Sequence, residues 1–127
     1  VHKQTIKVQR VSGKGRGKNL GIPTLNFVVP TNLKLPYGIY AGWLTTAEKK
    51  YQTAIHFGPR PTFNEIEPSL EAYILEGFIE NVPKDLELEF VQRIRDIHTF
   101  NFETPELMIN QINHDIKEVK KTLVPSP

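Results

Sequence analysis

Apolar residues recur at every second position in short runs as far as Ile94, and at every third or fourth position only from Met108 onward. That change of period constrains the fold more than any other feature, because it places a set of strands first and a single helix last. Lys3 to Val11 alternates around Ile6 and Val8, and Thr24 to Val29 forms a second extended run. Gly38 to Thr45 and Tyr51 to Phe57 are aromatic and aliphatic, flank a polar turn, and read as a hairpin. Leu70 to Leu75 and Leu86 to Ile94 follow, whereas Gly58 to Pro68 holds three prolines and is expected to be irregular. Met108, Ile112, Ile116, Val119 and Leu123 then share one helical face. Thr104 is placed to cap that helix, with Pro105 at its first position and Glu106 in its first turn, and Lys117, Lys120 and Lys121 suit its negative end. About six short antiparallel strands and one helix predict a mainly β chain. The expected form is a barrel of Greek-key type, which hides its strand edges, with the C-terminal helix covering an apolar opening.

With 127 residues the chain is long enough for one domain with its own core, taken as residues 1–127. Its apolar runs fall well short of the roughly 20 residues that span a bilayer, and no signal peptide is evident, so a cytoplasmic setting without a membrane partner is expected. Starting at Val1 and not at Met, the chain reads as an excised part of a longer protein. The absence of cysteine excludes disulfides and thiolate metal sites, and the four histidines have no zinc spacing.

Charge is unevenly placed. No Asp or Glu precedes Glu48, while Lys3, Lys7, Arg10, Lys14, Arg16, Lys18 and Lys34 all do. Charge alone fits a solvated basic face best; what points to an anionic ligand is the interleaving of Gly13, Gly15 and Gly17 with Lys14, Arg16 and Lys18. Glycine lets backbone N–H groups approach a phosphate closely, and the cations surround it. Beyond Pro23, Thr24 and Asn26 share one strand face while Leu25 and Phe27 share the other. Two neutral oxygen donors suit magnesium delivered by a nucleotide, because magnesium keeps waters and leans on substrate phosphates. On spacing alone, the polar face of a half-buried strand accounts for them better. Glu71 stands in an otherwise apolar row with Tyr73 and Leu75, which fits equally an exposed strand-end carboxylate or a base accepting a hydroxyl proton.

The glycine-rich loop running into Pro23-Thr24-Leu25-Asn26, then PYGIYAGWL at 36–44, AIHFGPRPTFNE at 54–65, LEAYIL at 70–75 and RIRDIHTF at 93–100, resembles the riboflavin kinase family over nearly the whole chain. The resemblance implies transfer of the γ-phosphate of ATP to riboflavin, giving FMN and ADP. It further implies Glu71 as the base, Thr24 and Asn26 as ligands of Mg2+ arriving with ATP, and the Gly13 to Lys18 loop on the phosphates. Arg95 and Phe100 would lie near the flavin, and His56, Phe57 and Arg60 near the nucleotide. For these last five residues, core or solvated roles are open alternatives, and Trp43 reads as core. The chain departs from the family at Ile97, where Glu is usual, and in NVPKDLELEF, which replaces an Asp-Leu-Tyr-Gly segment. Fusion to an FMN adenylyltransferase domain is the bacterial arrangement that the resemblance implies. The residues also leave open a barrel that binds flavin or nucleotide without turnover, and a basic barrel for single-stranded nucleic acid.

Overall fold

A computed structural model of the chain describes residues 4–11, 23–60, 65–77, 79, 81–97 and 105–123, with the backbone alone at Arg60, Glu65 and Pro105. Its strands are β1 (Gln4–Val11), β2 (Thr24–Phe27), β3 (Gly38–Thr45), β4 (Lys50–Arg60), β5 (Glu65–Ile74) and β6 (Asp85–Arg95), followed by helix α1 (Pro105–Leu123). They close into an antiparallel barrel in the order β1-β2-β5-β4-β3-β6. β3, β4 and β5 are consecutive neighbours and β6 returns beside β3, which is the Greek-key arrangement.

Alternation decides what fills the barrel. Val8, Leu25, Phe27, Leu44, Ile55, Leu70, Leu88 and Phe90 point inward and are buried in one core cluster. Each such side chain contributes about 1.5–3 kcal/mol on leaving water. Tyr40 lies edge-on to Phe90 at 5.2 Å between ring centroids, and its hydroxyl donates to the Pro36 carbonyl at 2.6 Å. Burial pushes the Tyr40 phenol above its ordinary value, opposed by the Arg93 charge, so it remains a donor at neutral pH.

Helix α1 does not cover an opening of the barrel as the sequence predicts; it packs on the outside of the wall. Val119 and Leu123 are buried against Ala41 and Ala54, with Trp43, Tyr73, Leu75, Val91 and Ile94 around them. Ala41 and Ala54 are directly paired across β3 and β4, and two small side chains in register leave room for a helix to approach. Trp43 is thus half-buried beneath the helix, outside the barrel interior.

The proline-rich segment is more regular than composition predicts. β4 continues to Arg60 and β5 begins at Glu65, because the register shifts between Gly58 and Arg60 and Pro59 falls in that shift, where the ladder asks for no N–H. Gly58 makes the bend with φ +138°, and a Cβ there would lie 2.5 Å from Ile97 Cδ1 and 2.9 Å from Tyr37 Cβ. Gly58→Ala combines left-handed strain with overpacking. It is expected to cost roughly 2–4 kcal/mol, read as a lower midpoint of urea unfolding with an unchanged slope.

Candidate active site on the barrel wall

Directly opposed residues of an antiparallel pair point to the same side of the sheet, so the register identifies which side chains share the outer wall. Asn26 of β2 lies opposite Glu71 of β5. Glu71 lies opposite His56 of β4, and His56 opposite Ile39 of β3. Ile39 in turn lies opposite Arg95 of β6. Val11 of β1 faces Asn26 from the other side, so one row draws a residue from every strand. The row climbs the tilted barrel: β1 and β6 pair through Gln4 and Phe90, and Arg95 lies past that pairing while Val11 ends β1 at its far end.

Glu71 is therefore flanked by Asn26 and His56, with Cβ separations of about 5 Å expected for opposed residues. Thr24, two residues before Asn26 and about 7 Å from it along the strand, lies on the same face opposite Tyr73. Both donors are half-buried, while Leu25 and Phe27 point into the core. The face assignment read from the sequence holds, and the β2–β5 pairing adds that these donors stand beside the carboxylate. Glu71 is 9% exposed and His56 is 4% exposed. A carboxylate so covered is no solvated strand-end charge.

Arg95 lies three inter-strand steps from Glu71, about 14 Å along the wall. Its Nε and Nη2 donate to the two carboxylate oxygens of Asp115 on α1, at 2.8 and 2.7 Å, and its Nη1 donates to the Asp96 carbonyl at 2.7 Å. Gln111 Nε2 also donates to Asp115, at 3.0 Å. Asp115 is only 5% exposed, and the forked pairing meets the demand a buried carboxylate makes for donors. This anchor between helix and wall is absent from the sequence reading. Its trace is there all the same, since Asp115 follows Ile112 by three and precedes Val119 by four and so interrupts the apolar stripe.

Ile97 packs on the Gly58 backbone beside Tyr37, and Tyr37 lies edge-on to Phe57 at 5.2 Å. Phe57 itself is core. Arg93 donates to the Tyr37 carbonyl and pairs with Asp96, so the β6 end, the Gly58 bend and the entry to β3 are tied together. The Gly13 to Lys18 loop, Phe100 and the Thr104 cap lie outside the described residues, as does the Arg60 side chain. Among the described residues no three His, Asp or Glu gather to hold a metal. Within the same set, no helix is long and apolar enough to cross a membrane.

The family model for riboflavin kinase matches residues 2–123. A riboflavin kinase of Mus musculus is 34% identical over 122 residues, covering 91% of this chain and 77% of its own. A bifunctional riboflavin kinase/FMN adenylyltransferase of Buchnera aphidicola is 29% identical over 120 residues, covering 92% of this chain and 38% of its own. Among solved structures, one described as a macrolide-efflux protein from Streptococcus pneumoniae superposes with a TM-score of 0.76 at 23% identity, over 91% of this chain and 38% of that one. At that identity the likeness speaks for the barrel fold only.

Proposed function

The chain belongs to the riboflavin kinase family, and from that premise we infer how its barrel wall carries out ATP-dependent phosphorylation of riboflavin to FMN. The observation that carries the reading is the adjacency of Asn26 and Glu71 across β2 and β5. Phosphoryl transfer to an alcohol needs an acceptor for the hydroxyl proton and, a few ångströms away, a place for the charged phosphates. Glu71 is the acceptor, taking the proton of the terminal ribityl hydroxyl as its oxygen attacks the γ-phosphorus and ADP leaves. The Gly13 to Lys18 loop, joined to β2 through residues 19–23, offers backbone N–H groups and three cations to the phosphates.

Thr24 and Asn26 fit magnesium chemically, being neutral oxygen donors on one strand face, and would hold it together with nucleotide phosphates. When bound, the ion supplies neutralisation of charge on the transferring group. Arg95 stands away from the base along the wall, as suits a substrate acted on at its alcohol and held at its ring. Three of the five guanidinium N–H groups are engaged by Asp115 and Asp96, which fixes the orientation of the planar group on the wall. Phe100 follows in the same segment. Residues 1–127 form one kinase domain in this reading, with the cytoplasm as its ATP-containing setting, and the bifunctional relative suits a fusion to an FMN adenylyltransferase.

Incubation with riboflavin and ATP tests the activity. FMN and ADP are expected in equal amounts when Mg2+ is present, and no FMN when EDTA replaces it, with the products separated by chromatography. ATP breakdown without FMN, or FMN formation at full rate in EDTA, contradicts the assignment of alcohol acceptor or of metal respectively.

A further inference from the structure

Four polar or charged side chains are buried among the described residues: Thr53, His56, Glu71 and Asp115. Asp115 anchors α1, and Thr53 faces the barrel interior opposite Gly42. His56 has no part in the scheme above, yet it is directly opposed to Glu71 and more deeply covered than Glu71 is. Its Nε2 lies 2.8 Å from the Gly58 carbonyl oxygen. A carbonyl only accepts, so Nε2 carries a proton and donates it into this bond, which fixes both the tautomer of a neutral ring and the orientation of the ring. Ser69 Oγ donates to the same oxygen at 3.4 Å. Gly58 is held in turn by its left-handed backbone and by the packing of Tyr37 and Ile97 over its Cα. The imidazole is thereby fixed to a rigid bend in the strand beside the carboxylate.

We propose that His56 is a positioning residue for the phosphoryl transfer, holding Glu71 in the orientation that meets the substrate hydroxyl. The proposal rests on Glu71 being the base. Register places His56 opposite Glu71 on β4 and Asn26 opposite it on β2, so the carboxylate stands between two side chains on the same face, one of them anchored to the Gly58 bend. Confinement matters because a misplacement of about 1 Å at a reacting group is enough to lose about 10²-fold in rate. The Nε2 proton serves this anchoring and goes nowhere: a backbone carbonyl cannot pass it on. His56 acts through Glu71, and no proton or bond of its own changes during turnover.

Steady-state kinetics of the whole chain with riboflavin and Mg-ATP test the proposal, using His56→Ala, His56→Leu, His56→Gln, Glu71→Gln and the double variant His56→Ala/Glu71→Gln, each checked for a folded spectrum. Gln places an N–H near the position of Nε2 and restores the bond to Gly58. Ala removes both bulk and donor, and Leu removes the donor alone, which covers the case in which the Ala variant does not fold. Loss of positioning is expected to lower kcat by about 10- to 100-fold in the Ala or Leu variant with KM for both substrates held within about threefold, and Gln should recover most of it. In the Glu71→Gln background, adding His56→Ala should cost less than about threefold, since a residue acting through Glu71 has nothing further to lose. Unchanged kcat in folded Ala and Leu variants overturns the proposal. So does a Gln variant as slow as Ala, or a loss that adds fully to that of Glu71→Gln. If Glu71→Gln itself turns over normally, the assignment of the base falls first, and the two failures are told apart.

Discussion

Glu71→Gln is expected to phosphorylate riboflavin about 10² to 10⁴ times more slowly than the unaltered chain while binding riboflavin with nearly the same affinity. Gln keeps the volume and one acceptor oxygen, so the buried site opposite Asn26 and His56 stays filled and the barrel has no reason to change. What disappears is the negative oxygen proposed to take the hydroxyl proton. Rapid-quench measurement of FMN formation in a single turnover isolates that step from product release. A variant with wild-type single-turnover rate would remove Glu71 from the mechanism.

Thr24→Val combined with Asn26→Leu removes both neutral oxygen donors from the outer face of β2 and leaves the inward Leu25 and Phe27 in place. Even outer-shell changes cost 10- to 100-fold in metal affinity, so loss of the two proposed ligands should weaken magnesium-dependent ADP binding by more than about 100-fold. Calorimetry with and without Mg2+ measures it. Because the two proposed ligands carry no charge, magnesium alone should bind the unaltered chain weakly, and nucleotide and metal should tighten each other equally. Tight magnesium binding without nucleotide would assign the ion to carboxylates elsewhere, and Thr24 and Asn26 would lose their role.

The strands, the helix and the two faces of β2 were legible because each is written in local periodicity: Leu25 and Phe27 against Thr24 and Asn26, or Val119 and Leu123 at helical spacing. The position of the helix was not, since an apolar stripe says that a partner exists and not which surface supplies it. Here the deciding contact is Ala41 against Ala54, a pairing between two strands. Proline misled for a related reason: Pro59 breaks a ladder only where a ladder bond is needed, and the register shift beside it removes that need. Glu71 and Asn26 could each be chosen from sequence as candidates, yet their adjacency depends on β2 skipping β3 and β4 to join β5. His56 and Asp115 gain their importance from elements next to them in the chain, His56 opposite Glu71 across β4 and β5 and Asp115 paired with Arg95 of β6.

The skip in strand order also divides the chemistry by how it is assembled. His56 and Glu71 come from β4 and β5, neighbours in the chain that meet when one hairpin forms. Asn26 joins them only after β2, a strand of four residues, docks across a long stretch of chain. Short strands with few partners are where local opening is cheapest, and among the described residues β1 meets the other edge of β2 at Arg10 with Phe27 and Val11 with Asn26, with the Val28 N–H donating to the Gln9 carbonyl just beyond. In this barrel the thinner of the two seams of β2 is the one with β1, two residue pairs against four with β5, so a chain that loosens there keeps Asn26 beside Glu71.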